Sequence, residues 1–315
     1  MPDVAVIIVT WNSSAEIAAC ITAAQTIPGA EIVVVDNASV DATASVAASA
    51  GVSVIANSIN AGFAAAVNQG VRATNAPLIL LLNPDACYQT GINYLVEALN
   101  DPDVAAAGGM TLDASAQPQT GFMARNLPPP KTLVFEVLGL NRLFSANSIN
   151  RHYRCLDLDL RAASVVEQPA AAFFMFRRTV WHHLGGLDEG FWPIWFEDVD
   201  FCARLKAAGW KVVFQPLSVA KHTGGHSIHG LPMEVREKYW YGSLLRYAAK
   251  HYPLAGFSGV CWAVAAGSIV RAIRGLPQHG FKAIVVYAGV FRQAVRCWLG
   301  AGFGRGRGRR ADMPS

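Results

Sequence analysis

Three acids that follow an aromatic run are the residues best suited to move a proton. In GGLDEGFWPIWFEDVDF they are Glu197, Asp198 and Asp200, at the predicted start of a helix. Acids there can simply complement the helix dipole. Trp192 and Trp195 precede them, however, and a carboxylate beside large apolar side chains loses water and becomes more basic. We therefore take Asp198 and Glu197 as candidate catalytic residues, and Trp192, Trp195 and Asp200 as candidates on the acceptor side, where a hydroxyl loses its proton.

A second group of ligating atoms follows two other predicted strands. LILLLNPDA places Asn83 and Asp85 directly beyond a buried strand, where oxygen ligands can hold a hard divalent cation against a diphosphate. In VAKHTGGHS, His222 follows a strand and can complete a metal site with Asp85. Alone, Asn-Pro-Asp is an ordinary turn, and a single histidine is more often structural. The sequence thus predicts a metal site at Asp85 and His222, with Mg²⁺ or Mn²⁺ as the cation.

Polar residues at the ends of the first two strands are candidates for binding a nucleotide. The first strand ends in VTWNS, which contains Thr10 and Asn12, and the second ends in VVVDNAS. The Asp36 carboxylate can accept hydrogen bonds from a base N–H or a ribose hydroxyl. The alternative is that Asp36 only caps the next helix. Asn37 and Ser39 suit the turn and the cap that follow it.

The segment NSINAGFAAAVNQG extends this candidate nucleotide site. Gly62 allows a close backbone approach, and the helix that starts after it can face a diphosphate. Asn60 and Asn68 are eight residues apart and can orient the ligand from one face. The segment is neither GxGxxG nor GxxxxGK[ST]. The predicted nucleotide-sugar-binding residues are Thr10, Asn12, Asp36, Asn37, Ser39, Asn60, Gly62, Asn68 and Asn83.

The elements that position these residues alternate along the first hundred residues. Short apolar runs typical of buried parallel strands occur at Val4–Thr10, Glu31–Asp36, Val52–Ala56 and Leu78–Leu82. Ala-rich stretches typical of helices lie between them, at Ser14–Ala24, Asp41–Ala50 and Ala64–Ala73. This order predicts an α/β sheet, and ligands collect at the carboxyl ends of the strands in such sheets.

The rest of the chain divides into three predicted parts. Residues 1–251 form the catalytic domain, in which 112–160 is an inserted, partly mobile segment on the acceptor side. Within that domain, QPAAAFFMFRR and Lys211–Phe214 predict strands, and Met233–His251 predicts a helix. Residues 252–300 form an apolar and basic helical tail, and 301–315 a disordered basic tail.

Six segments in order carry a resemblance to a known family. They are VTWNS, VVVDNAS, NAGFAAAVNQG, LLLNPDA, RRTVWHHLGGLDEGFWPIWFEDVD and HTGGHS. Together they resemble the family 2 inverting glycosyltransferases over about residues 4–250, with the bacterial rhamnosyltransferase-like enzymes as the most similar subset. The resemblance implies a glycosyltransferase A-type fold, which is a mixed, mostly parallel central sheet flanked by helices, here with a C-terminal helical tail.

The resemblance also implies roles for individual residues. Asp36 would hold the base and ribose, Asp85 and His222 the metal, and Asp198 would be the general base. This chain departs from the family at Asn83, where the fuller metal motif has an aspartate, and at Ala170–Ala172, where relatives often carry glycine.

The implied activity is sugar transfer in cell-surface polysaccharide biosynthesis. The leading donor is dTDP-rhamnose, followed by a UDP-hexose or UDP-galactofuranose, and the acceptor is a saccharide or a polyprenyl-diphosphate-linked sugar. The alternatives are a sugar nucleotidyltransferase, which usually has a Gly-rich basic loop where this chain reads TWNSSAE, and a non-catalytic nucleotide-sugar-binding module.

Composition and the two ends of the chain predict its location. The net charge of +4 is too small to indicate nucleic acid binding, and the six scattered cysteines contain no CxxC pair. MPDVAVIIVTWN has no basic leader, which predicts a cytoplasmic catalytic part. The segment from Pro253 to Gly300 is apolar with aromatic and basic residues, as in a helix at a membrane surface. We expect a peripheral enzyme on the inner face of the cell membrane, with a spanning helix or packed core helices as the alternatives.

Overall fold

The computed structural model describes residues 3–224 and 230–303. Its central feature is a nine-stranded sheet with the order β3-β2-β1-β4-β10-β6-β11-β5, in which β8 also pairs with β11. A separate two-stranded sheet joins β7 and β9. The strands are β1 (Val4–Thr10), β2 (Glu31–Asp36), β3 (Ser53–Ala56), β4 (Leu78–Leu82), β5 (Ala86–Thr90), β6 (Val104–Leu112), β7 (Ala124–Arg125), β8 (Ser164–Val166), β9 (Gln168–Pro169), β10 (Phe173–Arg177) and β11 (Lys211–His222).

Strand directions bring the candidate residues to one edge of the large sheet. β1, β2, β3 and β4 are mutually parallel, and β6 and β11 run the same way on the other side of the antiparallel β10. Six of the nine strands therefore point in one direction, so the predicted mixed, mostly parallel sheet is confirmed. Their carboxyl ends place Thr10, Asp36 and His222 at the same edge.

Helices cover both faces of the sheet because alternate strand residues are apolar on each side. One buried cluster contains Ile7, Val35 and Phe176, and the other contains Ile8, Val34 and Met175. The helices are α1 (Ile17–Ala24), α2 (Thr43–Ser49), α3 (Phe63–Arg72), α4 (Ile92–Ala98), α5 (Pro130–Val137), α6 (Leu140–Leu143), α7 (Ser148–Tyr153), α8 (Arg178–Leu184), α9 (Glu197–Ala207), α10 (Met233–His251), α11 (Leu254–His279) and α12 (Phe281–Phe303).

The chain forms two compact units. The first comprises 1–127 and 151–231 and contains both sheets, whereas the second comprises 128–150 and 232–315 and contains α5, α6 and α10 to α12. The C-terminal part of the second unit begins at Pro232, and its other part, 128–150, belongs to the segment 112–160. The predicted tail 301–315 begins within α12, which ends at Phe303, and its remainder lies outside the described residues.

Several predicted elements match the structure closely, and one is longer than predicted. β1, β2, β4 and α10 have the predicted bounds, and α9 begins at Glu197 as predicted. β11 continues to His222, past the predicted end at Phe214, because a register shift between Gln215 and Val219 absorbs the irregularity and pairing with β6 resumes. The continuation is what carries His222 to the functional edge.

Candidate active site

A hydrogen-bond network at the ends of β1 and β2 holds Asp36. The hydroxyl groups of Thr10 and Ser39 donate to its Oδ1, and the Ser39 backbone N–H donates to Oδ2 at 3.1 Å. A carboxylate has about four acceptor positions, so Oδ2 retains capacity for one more donor. Asn12 fixes the same loop, because its backbone N–H donates to Ser39 Oγ and its Oδ1 accepts from Val40 N–H.

Asn37 and Asn60 extend this network toward α3. The Asn37 Nδ2 donates to Asn60 Oδ1 at 2.9 Å, and the Asn37 Oδ1 accepts from Asn57 Nδ2 and from the Ala61 backbone N–H. Both asparagines are therefore structural supports of the loop beside Asp36. The structure brings these predicted residues together at one place, as the sheet order requires.

Asn68 lies elsewhere and has no capacity left for a ligand. Its Oδ1 accepts from Trp181 Nε1 and from the Leu187 backbone N–H, and its Nδ2 donates to the Leu187 carbonyl and to Glu189. These four bonds exhaust what an amide side chain can make. The spacing to Asn60 suggested a shared ligand, but the structure uses Asn68 to tie α3 to the segment after α8.

The start of α3 is covered by protein rather than open to a diphosphate. The Phe63 backbone N–H donates to the Pro193 carbonyl at 2.7 Å, and the Gly62 N–H donates to Asn60 Oδ1. A Cβ on Gly62 would lie 2.7 Å from Trp192 Cδ1, and its φ of +87° is one that only glycine adopts easily. Gly62 thus permits close approach, as predicted, but the approaching group is the segment Trp192–Pro193.

The two predicted metal ligands meet at the edge of the sheet. β11 pairs antiparallel with β5, with His222 opposite Ala86, and this places His222 Nε2 3.4 Å from Asp85 Oδ1. Both side chains are almost completely buried. The backbone N–H and hydroxyl of Thr223 both donate to the Asp85 carbonyl, which fixes the turn.

Gln119 determines which nitrogen of His222 faces Asp85. The Gln119 Nε2 donates to the His222 backbone carbonyl at 3.0 Å. The Gln119 Oε1 therefore faces the His222 Nδ1, also at 3.0 Å. An oxygen at that position requires a proton on Nδ1, and in neutral imidazole Nε2 then presents a lone pair. A lone pair that faces a carboxylate needs a cation or a proton between them. Phe122 stacks on the ring, 5.0 Å between centroids, and holds its plane.

This donor pair fits a divalent cation that also binds the ligand's diphosphate. Two ligand atoms of one cation, each at about 2.0–2.6 Å, lie roughly 3–3.5 Å apart, and the Asp85–His222 distance falls in this range. Among the described residues, no group of three or more His, Cys, Asp or Glu side chains surrounds one point. The Asn83 backbone N–H donates to the Ala172 carbonyl, which ties this turn to β10.

Asp198 is held by groups that come from the segment before β10. Gln168 Nε2 donates to its Oδ2 at 2.9 Å, the Ala171 N–H donates to the same oxygen at 3.4 Å, and the Val199 N–H donates to Oδ1 at 2.8 Å. Burial raises the pKa of Asp198, against the opposing effects of these N–H donors and of the Arg125 charge. Because Ala172 bonds to Asn83 and Ala171 to Asp198, Asp198 and the Asp85–His222 pair lie at the same edge of the sheet.

The two other acids of α9 are buried more deeply. Burial and the neighbouring Asp198 charge raise the pKa of Glu197 well above its usual range, and its Oε2 accepts no hydrogen bond from the described residues. Asp200 is fully buried and forms an ion pair with Arg204 at 2.8 Å. Asp200 was predicted on the acceptor side. In the structure its carboxylate has no solvent exposure, and its ion pair with Arg204 stabilises α9.

Backbone strain marks the turn that presents these acids. Trp195 and Phe196 have φ values of +79° and +69°, in the left-handed region that costs side-chain-bearing residues of order 1 kcal/mol or more each. Phe196 is buried, Trp195 is half-buried and Trp192 is exposed. The Trp192 Nε1–H donates a hydrogen bond to the Asn60 carbonyl. The segment 192–196 thus carries exposed aromatic surface beside the acids.

Three residues that the sequence did not single out complete the site: Gln168, Gln119 and Arg125. Gln168 lies in β9 opposite Arg125 of β7. Its only sequence signal is its place before the alanines that replace the family's glycines. Gln119 has no sequence signal, because it reaches His222 across 103 positions of the chain.

Comparison with known proteins identifies one family, and two of the solved structures similar to this chain are a mannosyltransferase and TarS. Residues 2–240 match the family described as glycosyltransferase like family 2. The mannosyltransferase PcManGT from Pyrobaculum calidifontis, in complex with GDP-Man and Mn²⁺, is 15% identical, with a TM-score of 0.53 over 95% of this chain and 87% of that chain. S. aureus TarS 1–349 is 14% identical, with a TM-score of 0.48 over 96% of this chain and 93% of that chain. No curated protein matches.

Proposed function

Because the chain belongs to the glycosyltransferase like family 2, we propose that it transfers a sugar from a nucleotide-diphosphate sugar to an acceptor hydroxyl with inversion at the anomeric carbon. The family match makes the chain a glycosyltransferase. Its fold, which resembles that of a glycosyltransferase solved with a nucleotide sugar, is consistent with this proposal. The sugar, the acceptor and the stereochemistry are the parts that we propose.

The environment of Asp198 is the observation that carries the proposal. Inversion in one step needs a single base on the acceptor side, and Asp198 is a carboxylate whose pKa is raised by burial. Its Oδ2 accepts from Gln168 and Ala171, whereas Oδ1 accepts only from Val199 among the described residues. Oδ1 is therefore the oxygen with capacity for an acceptor hydroxyl.

The reaction balances with the groups of this chain. The acceptor O–H proton moves to Asp198 Oδ1, and the acceptor oxygen forms a bond to the anomeric carbon. The bond between that carbon and the diphosphate oxygen breaks, and the nucleoside diphosphate leaves with the electron pair. Asp36 Oδ2 holds the nucleoside at the other end of the donor, which fixes the sugar for attack. Burial raises the pKa of Glu197, which disfavours a second negative charge beside Asp198.

Asp85 and His222 would hold a divalent cation, Mg²⁺ or Mn²⁺. When bound, such a cation supplies positive charge at the leaving diphosphate. Gln119 keeps His222 Nε2 directed at Asp85, as a supporting hydrogen bond does for a metal-bound histidine. Asn83 in place of an acid reduces the negative charge of this turn, so we expect weaker cation affinity than an Asp-x-Asp turn would give.

The resemblance to the family limits the candidate donors and acceptors to a few classes. We propose dTDP-rhamnose first, with a UDP-hexose or UDP-galactofuranose as alternatives, and the GDP-Man seen in PcManGT adds a fourth candidate. The acceptor would be a saccharide or a polyprenyl-diphosphate-linked sugar of a cell-surface polysaccharide. The family match favours transfer over the nucleotidyltransferase alternative.

Slow hydrolysis of the donor tests this proposal without knowledge of the acceptor. The protein is incubated with each of the four nucleotide sugars and Mn²⁺, and the released nucleoside diphosphate is measured. We expect one donor to be turned over and to raise the melting temperature, since a ligand that binds only the folded state stabilises it. If no nucleotide sugar is bound or hydrolysed, the transferase proposal fails. Release of pyrophosphate instead would indicate nucleotidyl transfer.

A further inference from the structure

The second compact unit ends in a helical hairpin whose far end is apolar and exposed. α11 and α12 are joined at Gly280 and contact each other along their lengths, with Gly275 beside Ala283 near the turn. We call the exposed apolar side chains around this turn the apolar tip: Ile269, Val270, Ile273 and Leu276 of α11, and Phe281 and Val285 of α12.

Burial changes abruptly along α11. Its first half packs inside the unit, where Phe257, Val260 and Val264 are buried. From Ile269 to His279 none of its residues is buried, and Ile273 is 64% exposed. Phe281, the first residue of α12, is 73% exposed. Soluble monomers rarely expose a contiguous apolar patch of this kind without a partner.

Contacts made from Tyr252 as far as Arg271 anchor α11 beside α5. The Tyr252 hydroxyl donates to the Pro128 carbonyl, Arg271 donates to the Val137 carbonyl, and a Cβ on Gly256 would meet Pro130 at 2.7 Å. Beyond Val137, Leu143 and Phe144 of the same unit are also exposed, which adds apolar surface on this side of α11. Among the described residues of the hairpin, exposed large apolar side chains are most concentrated at its end.

The charged side chains of the hairpin itself have a single sign. No aspartate or glutamate occurs between Lys238 and Ala311, although that stretch contains twelve of the chain's 26 lysines and arginines. Arg274 and Lys282 lie in the tip itself, and both are exposed. Lys282 pairs with Glu234 at 3.0 Å, whereas no ion pair involves Arg274 among the described residues. Apolar side chains interleaved with cations match a surface that is apolar inside and anionic outside.

We propose that the apolar tip inserts into the interface of an anionic lipid bilayer, with Arg274 and Lys282 at the headgroups. The eleven residues from Ile269 to His279 extend about 16 Å at 1.5 Å per residue. That length reaches the boundary of the acyl chains, about 5–10 Å deep, but does not cross a core about 30 Å thick.

The proposal distinguishes tip insertion from the two other arrangements of this helix. α11 is the one helix among the described residues that is long and apolar enough to cross a membrane, but 44% of that apolar window is buried inside the protein. A spanning helix would have to leave α5 and α12. A helix lying flat along its whole length would use Leu254 and Trp262 as well, and those side chains are separated from the tip by buried residues such as Val264. Insertion of the tip requires neither the departure from α5 and α12 nor those distant side chains.

Vesicle binding by the full chain tests the proposal. The protein is sedimented with vesicles of phosphatidylglycerol or phosphatidylcholine, without a sugar donor. Failure to bind vesicles would leave the transferase proposal standing, and failure of the transferase proposal would leave vesicle binding standing. We expect it to pellet with phosphatidylglycerol at low salt and to be released by high salt or carbonate. The double substitution Ile273→Glu and Phe281→Glu is expected to weaken this binding at least tenfold, because it places two charges in the acyl boundary.

A matched control carries the same two charges on the first unit. Val165 and Leu217 are 67% and 55% exposed, so Val165→Glu with Leu217→Glu should bind vesicles like the unmodified chain. Equal melting temperatures of both double variants would show that each is folded.

Four results would overturn the proposal. The first is no pelleting with anionic vesicles, and the second is unchanged vesicle binding by the tip variant. The third is resistance to carbonate extraction, which would indicate a spanning helix. The fourth is a dimer that the tip variant abolishes while no vesicle binding is seen, which would assign the apolar tip to a second copy of the chain.

Discussion

At the scale of single residues, Asp198 is set apart from the exposed carboxylates by burial and by three donors. Burial makes it more basic, and Gln168, Ala171 and Val199 orient it. Glu197, one position earlier, is buried with a free Oε2 and a pKa raised further. Asp198 is thus oriented by hydrogen bonds, whereas the environment of Glu197 favours its neutral form.

Replacement of Asp198 by asparagine tests the base directly. Asp198→Asn preserves shape and hydrogen bonding but cannot take a proton, so transfer should fall by roughly a hundredfold or more. Donor affinity, measured by calorimetry, should remain unchanged. Glu197→Gln, the neighbouring control, should lose much less activity because burial already favours the neutral form of that side chain. Near-normal turnover by Asp198→Asn would exclude it as the base.

Gln168 should act through Asp198 and not on the substrate. Its N–H favours the ionised carboxylate, so Gln168→Leu should raise the pKa of Asp198 further. Since the base must be ionised, the acidic limb of the pH–kcat profile should move to higher pH, with kcat reduced by roughly ten- to hundredfold and the donor KM unchanged. Gln119→Leu is the contrasting variant, because it contacts His222 and should leave the acidic limb in place. A Gln168 variant with an unshifted profile would contradict the positioning role.

Removal of the cation tests Asp85 and His222. EDTA should abolish activity, and Mg²⁺ or Mn²⁺ should restore it. His222→Ala, and to a smaller extent Gln119→Leu, should weaken Mn²⁺ binding in the presence of nucleoside diphosphate, measured by electron paramagnetic resonance. Loss of the group that hydrogen-bonds a metal-bound histidine commonly costs about 10–100-fold in metal affinity. Full activity in chelator would instead mean that Asn83 marks a metal-independent enzyme.

At the scale of elements, the turn before α9 and the start of α3 support each other. The Phe63 N–H binds the Pro193 carbonyl, and the Trp192 ring occupies the space beside Gly62. The strained residues Trp195 and Phe196 follow at once and lead into Glu197. The position of the catalytic helix start therefore depends on a glycine more than 130 residues earlier in the chain.

Substitution of Gly62 by alanine should disturb this contact. Gly62→Ala combines a positive φ with a Cβ 2.7 Å from Trp192, and we expect a loss of about 2–4 kcal/mol in the free energy of unfolding. Gly51→Ala is a matched control, since its φ of +74° carries the same strain with no atom within 4 Å, and it should lose only about 1–2 kcal/mol. Urea denaturation measures both. Equal losses would show that the Trp192 contact contributes nothing.

At the scale of the whole molecule, the two proposed ligands belong to different compact units. Every candidate site residue, from Thr10 to His222, lies in the first unit, and the apolar tip lies in the second. The family match extends to residue 240, within α10 of the second unit.

Hydrogen exchange should separate the two ligands. Nucleoside diphosphate with Mn²⁺ should slow amide exchange at the ends of β1, β2 and β4 and near His222, because binding suppresses local opening there. Phosphatidylglycerol vesicles should instead slow exchange between residues 269 and 285. Protection of the first unit alone by vesicles would place the lipid contact away from the hairpin.

The sequence by itself determined the elements whose signals are local. Buried parallel strands read as continuous apolar runs, so β1, β2 and β4 were predictable to the residue, and so was the edge where polar residues gather. The pairing of Asp85 with His222 was expected from motif order, and the structure places them 3.4 Å apart. The family, too, was recognisable from six ordered segments, although the rhamnose donor and the membrane location remain proposals.

Tertiary structure decided which polar side chains remain free for a ligand. Asn60 and Asn68 look alike in sequence. Only the fold shows that the Asn68 side chain forms its four hydrogen bonds with Trp181, Leu187 and Glu189. Likewise Asp200 is paired with Arg204, and Gln168 and Gln119 reach their partners across 30 and 103 positions. Hydrogen-bond capacity is consumed by neighbours in space, and residue spacing along the chain does not specify those neighbours.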